Sequence, residues 1–219
     1  MTGALLFDLD GTMLISDPIH QTVFRDMFAE RGRSFDEDDY MTLFHGKHNL
    51  ESFPVVFPGE DAQALSEQKE ALFRDRLTSN VPPMPGLHAL LDQAAAQGWR
   101  VAVVTNAPRD NAVAMLAALG VTDRIDALVI GEECSAAKPD PTPYRVAMDR
   151  LGVAPDRAIA FEDSASGMRA AAASGAFAVG IRSGCDDATL RAAGAQITLQ
   201  DFTDTALPAV LARLQGDIS

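Results

Sequence analysis

Near the start of the chain, Phe7-Asp8-Leu9-Asp10-Gly11-Thr12 sets two carboxylates two residues apart. The preceding Ala4-Leu5-Leu6-Phe7 reads as a short buried strand, and Gly11 permits a tight turn. Side chains alternate along a strand, so Asp8 and Asp10 should leave the sheet on the same side. Two like charges ~4 Å apart repel by about 4 kcal/mol at an effective dielectric of ~20. A bound cation or a proton-sharing reaction offsets such a cost. An acidic strand-to-turn junction is the alternative, since Asp and Gly are common turn residues.

Three more polar motifs follow apolar runs. Thr105-Asn106-Ala107-Pro108 brings a hydroxyl and an amide to a predicted helix start. They would serve there either as ordinary caps or as part of a phosphate-binding N-terminus. Lys138-Pro139-Asp140-Pro141 follows the run Val129-Ile130. Pro139 keeps Lys138 in an extended connection, and Thr142 and Pro143 read as the cap and first residue of the next helix. Phe161-Glu162-Asp163-Ser164 is a second strand end with paired acids, with Ser164 as a cap and Gly167 allowing close helix packing. The helix dipole explains acids at a helix start, but less well for Glu162, which still belongs to the strand.

Taken together, Asp8, Asp10, Glu162 and Asp163 carry -4 if ionised, and Lys138 leaves -3. Such a site repels a phosphate dianion. One Mg²⁺ and one protonated aspartate bring it to neutrality, and hard oxygen ligands are what Mg²⁺ prefers. The constellation predicts magnesium-dependent phosphoryl transfer, which no single motif would justify.

The elements needed to position these residues are legible as alternation. Runs 100–104, 127–130, 158–161 and 176–181 read as strands, with helical patterns at about 87–98, 110–120, 142–152, 165–175 and 186–194. Apolar strands alternating with helices indicate an α/β fold with a parallel sheet covered on both faces. A last amphipathic helix is expected at about 203–216. Residues 18–80 break the rhythm, with helical patterns at about 18–31 and 61–79, the acidic run Asp36–Asp39 and no strand. They read as an all-helical insertion. The expected domains are 1–15 with 83–219 as core and 16–82 as a cap, hinged near 14–17 and 80–85. Ligands in open parallel sheets bind at the carboxyl ends of the strands, where this insertion departs.

The 219 residues suffice for a full core, and 47% hydrophobic with 22% charged residues is ordinary for a soluble globular enzyme. A net charge of -13 argues against nucleic acid and against anionic membrane surfaces as partners. Cys134 and Cys185 have neither metal-ligand spacing nor a disulfide framework. With no signal peptide or membrane span legible, a cytoplasmic location is expected.

The four motifs, in this order and spacing, resemble those of the haloacid dehalogenase superfamily of phosphotransferases along essentially the whole chain. The insertion is similar to the small helical cap of the subgroup holding phosphoglycolate phosphatase and β-phosphoglucomutase. The resemblance implies a Rossmann-like core with a mobile lid. It implies that Asp8 is a nucleophile forming an aspartyl-phosphate and a ligand of Mg²⁺. Asp10 would protonate the leaving oxygen, activate water and ligate the metal through its backbone carbonyl. Thr105 and the backbone at Asn106 would hold phosphoryl oxygens, and Lys138 would neutralise charge on Asp8 and the phosphoryl group. Asp163, with Glu162 direct or through water, would complete the metal site. Asp10 also separates this chain from the superfamily's dehalogenases and phosphonatases, which lack an acid at that position.

Segment 14–20 resembles a subgroup sequence that usually has an acid where Ile15 stands, while His20 fits the pattern. His45-Gly46-Lys47-His48-Asn49 lies where relatives place a specificity loop, or is a solvated turn. Arg109 would either meet a substrate anion or solvate a helix start. The reading is a phosphatase acting on a small phosphorylated metabolite such as a sugar phosphate. The alternatives are a phosphosugar mutase, which shares the core chemistry, and a non-catalytic phosphoaspartate switch, which needs neither a lid nor Asp10.

Overall fold

Six strands form one parallel sheet: β1 (Ala4–Phe7), β2 (Arg100–Thr105), β3 (Ala127–Ile130), β4 (Ala158–Glu162), β5 (Phe177–Ile181) and β6 (Ile197–Leu199), in the order β3-β2-β1-β4-β5-β6. This computed structural model describes residues 2–44, 47, 49–77 and 81–215. The candidate residues His45 and Gly46, with His48, therefore lie outside the described residues. Two compact units divide at Ile15/Ser16 and Val81/Pro82.

The unit Ser16–Val81 is helical, with α1 (Asp17–Ala29), α2 (Glu37–Leu43), α3 (Asn49–Val56) and α4 (Ala62–Arg76). Its core is a phenylalanine cluster in which Phe24 stacks on Phe44 with ring centroids 3.8 Å apart. The acidic run Asp36–Asp39 is the start of α2: the Asp36 side chain accepts from the Asp39 N–H, and Asp39 accepts from that of Asp36. Such a capping box satisfies two orphan donors. α3 holds Pro54 in its interior, which hides it from a propensity reading.

The sheet unit contains α5 (Leu87–Gln97), α6 (Arg109–Ala118), α7 (Thr142–Leu151), α8 (Ala165–Ser174), α9 (Asp187–Ala192) and α10 (Leu207–Leu211). The expected last helix shrinks to α10, flanked by turns, and β6 is a three-residue edge strand too short to show a period. β1 lies between β2 and β4, so the strand order reverses beside it. A crevice is expected at the carboxyl ends of the strands at such a switch point.

Alternation divides the sheet's two faces. Phe7 and Phe161 stack at 5.1 Å, with Phe202 edge-on to both. Leu6, Val104 and Ala160 pack with Tyr144 and Met148 of α7 and Met168 of α8. Two residues beyond Leu6 and Ala160, on that second face, come Asp8 and Glu162. α7 connects β3 to β4 across β2 and β1 and touches all of β1, β2 and β3. Tyr144, near its start, reaches Glu162 at the end of β4.

Candidate active site

Lys138 reaches three strand ends at once. Its ammonium donates to Asp8 Oδ1 beyond β1, the Val104 carbonyl of β2 and Glu162 Oε1 of β4, each at 2.6 Å. An ammonium has three N–H donors, and all are used. Lys138, Asp8 and Glu162 are buried, Glu162 completely. Burial lowers the Lys138 pKa, but the charges of Asp8 and Glu162 outweigh it and hold the ammonium above its ordinary range. For Asp8, burial first and Glu162 second push the carboxyl up to about 8, against the lowering by Lys138. One lysine does not balance this group of acids.

Glu162 is gripped on every side. Oε1 also accepts from the Tyr144 hydroxyl at 2.7 Å, and Oε2 accepts from Ser164 Oγ at 3.3 Å. Ser164 Oγ in turn accepts from the Gly167 N–H at 3.0 Å, capping α8. A Cβ on Gly167 would lie 2.0 Å from Glu162 Oε1, so the glycine makes room for the carboxylate. Asp163 is wedged in the same way: a Cβ on Gly11 or Gly184 would lie 2.1 or 2.3 Å from its Oδ2. Gly11 has φ +73°, so the turn after Asp10 requires glycine on both counts. Ligand oxygens of Asp8, Glu162 and Asp163 all lie within 4.8 Å of one another. That spacing and hard oxygen chemistry fit a divalent cation. Asp10 sits in the turn, partly exposed, with its backbone bridged to Leu14.

The second motif has a divided role. Thr105 is buried at the end of β2, and its Oγ1 accepts from the Ala107 N–H at 3.0 Å, which leaves its hydroxyl proton to donate. The Asn106 side chain faces the lysine loop: Nδ2 donates to the Lys138 carbonyl at 3.1 Å and Oδ1 accepts from the Lys138 N–H at 3.3 Å. A Cβ on Gly131 would lie 2.2 Å from that Oδ1. α7 starts at Thr142, but the capping oxygen belongs to Asp140, which accepts from the Thr142 N–H and hydroxyl.

Other sequence candidates have local roles. Arg109, the first residue of α6, makes a bidentate pair with Glu133 on the exposed surface. His20 lies in the helical unit, stacked on Phe73 with centroids 4.2 Å apart. Lys69, four residues before Phe73, is a buried lysine paired with Glu70. Lys47 donates to the Thr42 carbonyl, and Ile15 is exposed. Sequence reasoning missed Tyr144, Gly131 and Gly184. A tyrosine on the apolar face of α7 reads as core, and only its spacing six residues after Lys138 hinted otherwise.

A parallel sheet reversing at β1, with an acid-and-lysine cluster at its strand ends, defines a hydrolase of the haloacid dehalogenase-like type. The model of the haloacid dehalogenase-like hydrolase family matches residues 5–181, and the chain belongs to that family. It is 32% identical over 217 residues to validoxylamine A 7'-phosphate phosphatase of Streptomyces hygroscopicus subsp. limoneus, covering 95% of this chain and 98% of the relative. It is 30% identical over 186 residues to the fructose-1-phosphate phosphatase YqaB of Escherichia coli, covering 82% and 96%. Among solved structures it resembles CbbY from Rhodobacter sphaeroides in complex with xylulose-(1,5)bisphosphate. That match has a TM-score of 0.77, 27% identity, and covers 92% of this chain and 95% of the other.

Proposed function

We propose that the protein is a magnesium-dependent phosphatase that hydrolyses a small phosphorylated metabolite, such as a sugar phosphate, through an aspartyl-phosphate. The observation carrying this reading is the Lys138 ammonium bonded to Asp8 within a cluster of acids that one lysine does not neutralise. Asp8, Asp163 and the Asp10 carbonyl, with Glu162 direct or through water, would hold Mg²⁺. When bound, Mg²⁺ supplies charge neutralisation for Asp8 and the phosphoryl oxygens. Curated relatives named as phosphatases of sugar-like phosphates support hydrolysis as the outcome.

In the first step a carboxylate oxygen of Asp8 forms a bond to phosphorus as the ester P–O bond breaks. Asp10 gives its proton to the departing alkoxide. In the second step Asp10, now ionised, takes a proton from water, whose oxygen bonds to phosphorus as the Asp8–phosphorus bond breaks. Inorganic phosphate leaves, and both aspartates return to their starting states. Lys138 stabilises the charge on Asp8 and the transferring group, and the Thr105 hydroxyl and the backbone at Asn106 hold phosphoryl oxygens. The helical unit Ser16–Val81, inserted directly after the first strand and its turn, is read as the cap that selects the metabolite. His20 and the loop His45-Gly46-Lys47 are its candidate selectors.

The test is phosphate release from an aryl phosphate with and without Mg²⁺, followed by a panel of sugar phosphates. Metal-dependent turnover abolished by Asp8→Asn is the expected result. Full activity in Asp8→Asn, or no metal-dependent turnover on any phosphate ester, would overturn the reading.

A further inference from the structure

We propose that Tyr144 is a positioning residue that aims Lys138 at Asp8 by fixing Glu162. The inference rests on the role given to Lys138 above and adds a member that no sequence motif marks. The ammonium has three acceptors, and the stiffness of each decides where it sits. The Val104 carbonyl belongs to β2 and is held by the sheet. Asp8 must be able to react, so it cannot be the anchor. Glu162 is the remaining acceptor, and its side chain has three rotatable bonds of its own. Whatever locks Glu162 therefore locks the ammonium.

Tyr144 is the strongest lock present. Its hydroxyl donates to Glu162 Oε1 at 2.7 Å, the same oxygen that accepts from Lys138 at 2.6 Å. Ser164 holds the other oxygen at the longer distance of 3.3 Å. The Tyr144 ring also lies under the ammonium, 5.1 Å from Nζ to its centroid, with a cation–π contact of its own. Tyr144 is fully buried in the first turn of α7, packed with Leu6, Val104 and Ala160 of the sheet, so the phenol cannot swing away. A phenylalanine there would fill the same space and keep the ring under Lys138, but it would leave Glu162 Oε1 with one donor instead of two. The hydroxyl is therefore the part of this residue whose loss should be felt in the chemistry rather than in packing.

Tyr144→Phe tests this directly. Kinetics with a saturating aryl phosphate should show kcat reduced by about 10- to 100-fold, as for other groups that orient a site's primary residues. KM should stay within about twofold when measured at saturating Mg²⁺, where any change in metal affinity through Glu162 does not enter. A readout independent of activity follows the Lys138 ammonium by NMR in lysine-labelled protein, assigned by its absence in Lys138→Met. Its N–H protons should exchange with water markedly faster in Tyr144→Phe. Should that variant fold poorly, the unaltered sequence offers a second route because it has only two tyrosines, Tyr40 and Tyr144. Fluorotyrosine labelling then gives two fluorine signals, and that of Tyr144 should move in Lys138→Met while that of Tyr40 stays. An unchanged kcat, a loss of kcat with an unmoved ammonium, or a Tyr144 fluorine signal indifferent to Lys138→Met would each overturn the proposal. If the unaltered protein hydrolyses no phosphate ester, the phosphatase reading fails, and the two NMR measurements still decide the role of Tyr144.

Discussion

A lysine buried among carboxylates is stable only if its donors are all used, and Lys138 meets that condition with three acceptors from three strands. Removing it leaves Asp8 and Glu162 as uncompensated buried charge, so Lys138→Met should lower kcat by at least about 100-fold, measured by phosphate release at saturating Mg²⁺. A quieter change nearby tests the lysine's main chain. Gly131→Ala would set a methyl 2.2 Å from Asn106 Oδ1 and displace the amide that grips the Lys138 peptide. Its kcat should fall while secondary structure by circular dichroism stays as in the unaltered protein. Arg109→Ala, by contrast, breaks an exposed pair with Glu133 and should change KM by less than about twofold. The charged members of the cluster were legible in the sequence because acids and a lysine at the ends of apolar runs demand a reason. Tyr144, Gly131 and Gly184 were not, because a core tyrosine and a loop glycine acquire meaning only from what they touch.

At the level of elements, the sheet order places the acids together. β1 and β4 are neighbours, with Phe7 opposite Phe161, so the residues leaving them, Asp8 and Glu162, emerge side by side. The first five strands and the helices between them were legible because each is a continuous apolar run or an amphipathic period. β6 was not, since Ile197-Thr198-Leu199 is too short to carry a pattern. α2 was hidden for a different reason: Asp36-Glu37-Asp38-Asp39 looks like a solvated charge cluster, yet two of its members form a capping box. Asp36→Ala should destabilise α2 by about 1 kcal/mol. Hydrogen exchange should detect this as faster amide exchange confined to residues 37–43.

For the molecule as a whole, the excess of acid is both global and local. The chain carries -13, and the buried Asp8 carboxyl is raised from 3.8 to about 8. A carboxyl with a raised native pKa favours folding in its protonated form. Its contribution is complete below about pH 4 and is lost as pH rises through about 8. The metal-free protein should therefore lose thermal stability between pH 5.5 and 8.5, after allowance for groups that titrate alike in both states. A cation binding ionised Asp8 competes with that proton, so Mg²⁺ should raise the melting temperature more at pH 8.5 than at 5.5. Equal stabilisation by Mg²⁺ at both pH values would argue against Asp8 as a ligand. Among the described residues no helix is long and apolar enough to cross a membrane.

In the proposed reaction Asp8 itself receives the phosphoryl group. Rapid acid quenching during turnover of a sugar phosphate with Mg²⁺, followed by borohydride reduction and peptide mass spectrometry, reads this out directly. An acyl phosphate at Asp8 is reduced to homoserine, whereas an unmodified carboxylate survives. Homoserine is expected at position 8, appearing only with substrate and metal. Modification at another residue, or turnover with Asp8 never modified, would contradict it.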